Sequence, residues 1–224
     1  NLGIGAYRDE QGNPYVLPSV RKAEALIAKD TESGKENKEY APIDGKPELK
    51  PLCQKLMLGD NYKIQIESDK IASAQCLSGT GSIRVFGEFI KRNLGIERVW
   101  VPNPTWGNHK AIFEESNLQV LQYSYWDPVN KKLDFENLKK DLQEKTNPGD
   151  CILLHAVAHN PTGIDPTNDQ WREIMQIVKA RALLPLIDNA YQGFASGDLD
   201  ADAFSNFFFF GLCVCFGIAF CLFV

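Results

Sequence analysis

No block of basic residues runs anywhere in this 224-residue chain, whose formal net charge is −5. A nucleic-acid partner needs a clustered cationic face. The nearest approach, Lys35 to Lys38, is interrupted by Glu36 and reads as solvated loop. Zinc spacing is also missing. Cys53, Cys76, Cys151, Cys213, Cys215 and Cys221 match no metal pattern and no small disulfide scaffold, so free thiols in a reducing compartment are expected. There is no internal repeat and no signal-peptide pattern, and the chain opens Asn-Leu-Gly, read as a start inside a longer protein. No lysine follows Lys179, and no charge of either sign follows Asp202.

What is present is ordinary globular composition, 44% hydrophobic and 24% charged, enough to bury a core without disulfides or metals. Two regions differ. Residues 1–202 carry charges throughout, whereas Phe207 to Val224 is an apolar run of 18 residues. In the first region strand and helix signals alternate. Arg98–Val101, residues 118–125, Cys151–His155 and Leu183–Asp188 read as strands, the last with Pro185 marking an uncertain or edge start. Ile83, Phe86, Ile90 and Leu94 share a helix face, as do Trp171, Ile174, Met175 and Val178. Asp134 is placed to cap a third helix with Leu138 and Leu142 inward. Apolar strands separated by amphipathic helices predict an α/β fold, a mostly parallel sheet covered on both faces.

Ligands of such sheets bind at the carboxyl ends of the strands. Four polar segments fall there: Ser78-Gly-Thr-Gly81, Pro102-Asn-Pro-Thr-Trp106, His159-Asn-Pro-Thr-Gly163 and Asp188-Asn-Ala-Tyr191. Ser78, Gly79 and Thr80 precede a helix and suit an oxyanion or phosphate, with a plain tight turn as the alternative. Asp188 ends an apolar strand and needs a partner, either a cationic ring N–H, a helix cap or a salt bridge. Tyr191 can donate to a phenolate oxygen or simply pack. Asn160 can hydrogen-bond a ring substituent or belong to an ordinary Asn-Pro turn. Trp106 can stack on a flat heteroaromatic ring or pack internally. Trp100, Trp126 and Trp171 read as packing residues. His109, His155 and His159 do not match the helical His-x-x-x-His motif with its glutamate, and they are expected to orient Asp188 or pack the ring rather than bind a metal.

In this order, NLGIGAYRDEQGNP, KEYAPIDG, LSGTGSIRV, VPNPTWGNHK, LLHAVAHNPTGIDPT and IDNAYQGFASGD resemble the class I aminotransferases, the aspartate aminotransferase subgroup in particular, over about residues 1–203. The resemblance implies the large domain of the fold type I pyridoxal-phosphate-dependent transferases, with a seven-stranded, mostly parallel sheet. It implies transfer of an amino group between aspartate and 2-oxoglutarate on pyridoxal 5′-phosphate. Ser78, Gly79 and Thr80 would hold the phosphate. Trp106 would stack on the ring and touch substrate. Asn160 and Tyr191 would bond its 3-oxygen, and Asp188 would pair with its nitrogen. Gly5 would offer its N–H to the substrate carboxylate, with Trp106 and Asn160 also on the substrate side. Tyr40 would reach the partner's phosphate across a homodimer interface.

The divisions expected are 1–45, belonging to a small domain and to dimer and substrate contacts; 46–203, the cofactor-binding large domain, truncated before the sheet ends; and 204–224, an apolar tail unlike the family. The family's Schiff-base lysine and its phosphate and substrate arginines would lie beyond the match, so the chain as written is expected to be inactive. A frameshift or translated intron is the simplest account of the tail. A C-terminal membrane anchor is the rival, and a non-catalytic cofactor-binding or dimer-partner fragment is a further alternative. A cytoplasmic compartment is expected, with mitochondria as the alternative.

Overall fold

The computed structural model describes residues 6–59, 71–206 and 220–223, in two units divided between Ala41 and Pro42. In the first unit, an isolated bridge joins Arg8 to Pro14 across a turn whose Asp9 carboxylate accepts the N–H groups of Gln11 and Asn13 at 3.0 and 2.8 Å. Helix α1 (Pro18–Glu32) has proline in its first turn, where a missing N–H leaves no helical bond unmade. None of its residues is buried; Val20, Leu26 and Ile27 are exposed. Tyr40, at the end of this unit, is 94% exposed.

The second unit opens with helices α2 (Leu49–Leu58) and α3 (Ser78–Leu94). Strand β1 (Arg98–Asn103), helix α4 (Asn108–Glu115), strand β2 (Gln119–Ser124), the short strands β3 (Trp126–Asp127) and β4 (Lys132–Leu133) and helix α5 (Phe135–Glu144) come next. Strand β5 (Cys151–His155), helix α6 (Asn168–Ala180), strand β6 (Leu184–Asn189), helix α7 (Leu199–Asp202) and strand β7 (Phe220–Phe223) complete it. The main sheet has the order β2-β1-β5-β6-β7 with every neighbouring pair parallel, and β3 and β4 form an antiparallel ribbon.

Alternation along the strands feeds two cores. Trp100, Ile152, Leu154 and Ile187 point to one face and pack with Leu138 and Leu142 of α5 and with Trp171, Ile174 and Val178 of α6. Val99, Val101, Cys151, Leu153 and Leu186 point to the other and pack with Ile83, Phe86 and Ile90 of α3 and Phe113 of α4. Both faces are therefore dry, which is why the strands read as continuous apolar runs. Each fully buried Leu, Ile or Phe contributes about 1.5–3 kcal/mol to this arrangement. Where α3 meets the end of α4, Gly87 permits the close approach, since a Cβ there would lie 2.7 Å from Ser116 Oγ.

The predicted α/β architecture is observed, and the helix faces are as expected except that Leu94, at the last turn of α3, is exposed and not packed with Ile83, Phe86 and Ile90. The Ser78–Gly81 segment is not a turn ahead of α3 but its first turn. Asp134 occupies the N-cap of α5, but its side chain does not bond the helix backbone; the carboxylate takes the Asn137 amide at 3.0 and 2.9 Å instead. Pro185 lies in an interior strand, between β5 and β7. It is tolerated because it sits near the start of β6, before the pairing with β7 begins at Leu186. Five strands of the main sheet are found among the described residues. Part of the apolar tail runs beside β6 as β7, while 207–219 and Val224 lie outside the described residues, as does Gly5. Among the described residues no helix is long and apolar enough to cross a membrane.

Candidate active site

The sheet order reverses direction between β1 and β5: β2 lies beyond β1 on one side, β6 and β7 beyond β5 on the other. At such a switch point the loops leaving neighbouring strands diverge and open a crevice at the carboxyl ends. A cavity of ≈ 170 Å³ lies there, lined by Ser78, Gly79, Thr80, Ile83, Trp106, His155, Val157, Asn160, Asp188, Ala190 and Tyr191. Seven of the residues expected to hold a cofactor are thus brought to one wall: Ser78, Gly79, Thr80, Trp106, Asn160, Asp188 and Tyr191. Tyr40 lies in the first unit and Gly5 outside the described residues.

Ser78 to Thr80 present the open end of α3. The first N–H groups of a helix have no partner within it, and no acidic residue stands in this first turn to compete for them. Ser78 is held at φ 52°, the left-handed region that serine rarely occupies. Its carbonyl is fixed by the Ser82 hydroxyl at 3.0 Å.

Asp188 is buried at the end of β6 and is held by a chain of hydrogen bonds with a single consistent direction. The Asn160 backbone N–H points at His155 Nδ1 (3.3 Å), which makes that nitrogen the acceptor and puts the ring proton on Nε2. His155 Nε2 then donates to Thr105 Oγ1 (3.2 Å), and the threonine hydroxyl donates to His109 Nδ1 (2.7 Å). The remaining His109 nitrogen, Nε2, donates to Asp188 Oδ2 (3.1 Å). Oδ1 has no protein partner among the described residues. His109, His155 and Asp188 also bring ligand atoms within 4.8 Å of one another. An ion on His155 Nε2 would require the opposite tautomer, with a proton on Nδ1 facing the Asn160 N–H. The hydrogen-bond directions therefore favour the Thr105 bridge over a metal.

Burial, and after it the neighbouring His159 and His109, hold the His155 imidazole far below its usual basicity. Burial first and His109 second push His159 down to about 3. His159 stacks on Tyr125 with ring centres 3.8 Å apart, and Tyr125 is fixed in turn by its hydroxyl on the Ile164 carbonyl (2.7 Å). The loop carrying Asn160 is clamped by Asp165, which accepts the N–H groups of Ala158 and His159 at 2.7 and 2.9 Å. Across the cavity Asn160 Nδ2 and Tyr191 Oη come within 3.4 Å, so that two polar tips converge on one point of the wall.

Thr105 and Asp165 received no role from the sequence. The spacing of Thr105 four residues before His109 at a helix start was the available signal. The signal for Asp165 was an acid two residues past the glycine of an Asn-Pro-Thr-Gly turn.

This wall fits a flat, phosphorylated heteroaromatic group. An anion cradle stands at one part of it, a carboxylate oxygen without a protein partner at another, and an indole, Val157 and Ala190 supply apolar surface. Residues 1–216 match the family model described as aminotransferase class I and II. The cytoplasmic aspartate aminotransferase of Oryza sativa subsp. japonica is 48% identical over 203 residues, 91% of this chain and 49% of that protein. The mitochondrial aspartate aminotransferase of Gallus gallus is 47% identical over 206 residues, 92% and 47% of the two chains.

Among solved structures, the aspartate aminotransferase from Saccharomyces cerevisiae cytoplasm superposes with a TM-score of 0.86 at 41% identity, over 93% of this chain and 49% of that one. An aromatic-amino-acid aminotransferase from Burkholderia pseudomallei, covalently bound to pyridoxal phosphate, does so with a TM-score of 0.87 at 34% identity, over 94% and 51%. The chain spans about half the length of the curated relatives it matches. On the match of family model, relatives and fold together, the chain belongs to the class I and II aminotransferase family.

Proposed function

We propose that residues 1–224 carry the cofactor-recognising part of a pyridoxal-phosphate-dependent aminotransferase that moves an amino group between aspartate and 2-oxoglutarate. The observation that carries this reading is the convergence of the Ser78–Thr80 helix start, Trp106, Asn160, Asp188 and Tyr191 on one cavity. Ser78, Gly79 and Thr80 hold the phosphate with backbone N–H groups and hydroxyls. Trp106 covers a face of the ring, and Asn160 and Tyr191 bond its 3-oxygen. Asp188 accepts the ring N–H, and the chain through His109, Thr105 and His155 keeps that carboxylate aimed. When bound, the cofactor supplies an electron sink for charge developing at the amino acid α-carbon. Gly5 serves the substrate carboxylate together with Trp106 and Asn160, and Tyr40 serves the phosphate of a second subunit in a homodimer. A cytoplasmic setting is the reading the rice relative supports.

No lysine or arginine lines the described cavity, and Lys179, the last lysine, is exposed on α6. We therefore propose that this polypeptide alone binds the cofactor without a covalent link and does not turn over. The test is quenching of tryptophan fluorescence by pyridoxamine 5′-phosphate against pyridoxamine, in wild type and Trp106→Phe. Loss of a charge-assisted phosphate site costs at least about 3 kcal/mol, so the unphosphorylated amine is expected to bind roughly a hundredfold more weakly. Equal binding of the two ligands, or aspartate:2-oxoglutarate turnover above a cofactor-only control, would overturn the respective half of the proposal.

A further inference from the structure

We infer that Asp202 is a positioning residue for Tyr191, fixing through the turn at 193–196 where the tyrosine hydroxyl meets Asn160. Its ligand-binding consequence rests on the cofactor reading above; its structural consequence does not. Asp202 closes α7 and is buried, and among the described residues no cation pairs with it. Four donors from one turn satisfy it instead. Oδ2 accepts the N–H groups of Gly193 (2.8 Å) and Ala195 (3.2 Å). Oδ1 accepts the Ser196 hydroxyl (2.6 Å), and the Ser196 N–H lies 3.2 and 3.4 Å from the two oxygens. A buried carboxylate is costly unless so bonded, so the turn and the acid fix each other.

The segment next to Asp202 is docked on the sheet. Ala203, Ser205 and Asn206 are buried, and Ser205 Oγ donates to the Ala156 carbonyl at 3.2 Å. Asp202 thus links a fixed platform to the turn that follows Tyr191. Gly193 makes the wrap tight: it sits at φ 87°, and a Cβ there would lie 2.6 Å from Leu199 Cδ2. Gln192 fixes the near side, its amide donating to the Leu56 and Leu199 carbonyls at 2.8 and 3.1 Å and accepting from Asn189 at 2.7 Å. Tyr191 therefore stands between a strand end and a clamped turn. Its backbone position, and so the 3.4 Å approach of its hydroxyl to Asn160 Nδ2, depends on Asp202.

Two readouts on the full chain test this. In the first, pyridoxamine 5′-phosphate binding is measured for Asp202→Ala, Tyr191→Phe and the double variant. Each single change is expected to weaken binding by roughly tenfold, and the double change by little more than either alone. Additive losses would overturn the inference. The second needs no ligand: in ¹³C-tyrosine NMR spectra, the Tyr191 signal, identified by Tyr191→Phe, is expected to shift or broaden in Asp202→Ala while those of Tyr123 and Tyr125 hold. An unchanged Tyr191 signal would overturn it. If Asp202→Ala does not fold, Asp202→Asn decides by the same spectra. It keeps one acceptor for Gly193 and Ala195 but sets an N–H against the Ser196 N–H, so a smaller Tyr191 shift is expected and none refutes. A wild-type chain that binds no pyridoxamine phosphate sinks the cofactor reading, and the spectra then decide the Asp202–Tyr191 link by themselves.

Discussion

His109 Nε2 stands 3.1 Å from Asp188 Oδ2, although 79 positions separate the two residues in the chain. The contact exists because the first turn of α4 and the end of β6 meet at the mouth of the same crevice. His109 has no exposure, so its other nitrogen must also be satisfied within the protein, and Thr105 does this.

Thr105→Val tests the chain. The change keeps the shape and removes the hydroxyl that accepts from His155 and donates to His109. Two buried ring nitrogens lose their partner, at a cost of about 1–3 kcal/mol. Urea unfolding should show this loss, and Thr105→Ser should recover most of it. A midpoint unchanged in Thr105→Val would mean that the bridge contributes nothing.

The fold carries a pH dependence of definite sign. His155 and His159 are neutral when folded, far below the ordinary 6.5, and take up protons once the chain unfolds. Their contribution is complete above pH 6.5 and is lost as pH falls toward about 3, where His159 protonates in place. Inside that window each adds up to about 1.4 kcal/mol per pH unit to the slope of stability. His159→Gln should make the slope between pH 6.5 and 5 shallower by about one histidine's share. Parallel slopes for wild type and variant would refute this.

The sequence announced the strands, the helices and most of the cavity wall because these depend on local pattern. Val99, Trp100 and Val101 alternate between the two cores, and Trp171, Ile174 and Val178 recur on a helical period. Thr105, Asp165 and Asp202 were not legible, since each acts on groups whose meeting depends on tertiary placement or on the direction of a turn. An isolated threonine or aspartate in a polar loop has many cheaper explanations. The start of α3 shows a subtler limit. Ser78-Gly-Thr-Gly reads as a turn because glycine disfavours helix, yet it is the first helical turn, where few intrahelical bonds are at stake.

Helix α6 offers a clean test of local design. Thr167 Oγ1 accepts the Gln170 N–H at 3.3 Å, and Gln170 Oε1 accepts the Thr167 N–H at 2.9 Å, a reciprocal capping box. Thr167→Ala should cost about 1 kcal/mol by urea unfolding. Thr167→Ser should cost much less, since it keeps the acceptor. Equal losses in the two variants would assign the effect to the methyl group and not to the cap.

Asp150 separates stability from ligand recognition. It precedes β5 at the amino end of the sheet, opposite the cavity. Oδ1 accepts from Arg98 Nε at 2.9 Å, and Oδ2 accepts from the Trp100 indole at 2.8 Å and the Asn147 N–H at 2.9 Å. Removing the carboxylate leaves the buried Trp100 indole N–H and the Asn147 N–H without their acceptor and takes the ion pair from Arg98, whose guanidinium stays partly solvated. Asp150→Ala should cost about 2–3 kcal/mol. At temperatures where the variant is still folded, its affinity for pyridoxamine 5′-phosphate should equal that of wild type, because no residue of the cavity wall touches Asp150 in the bonds above. A fall in affinity that matches the fall in stability would mean that the two ends of the sheet are coupled. A fall in affinity without loss of stability would contradict the assignment of Asp150 to the scaffold.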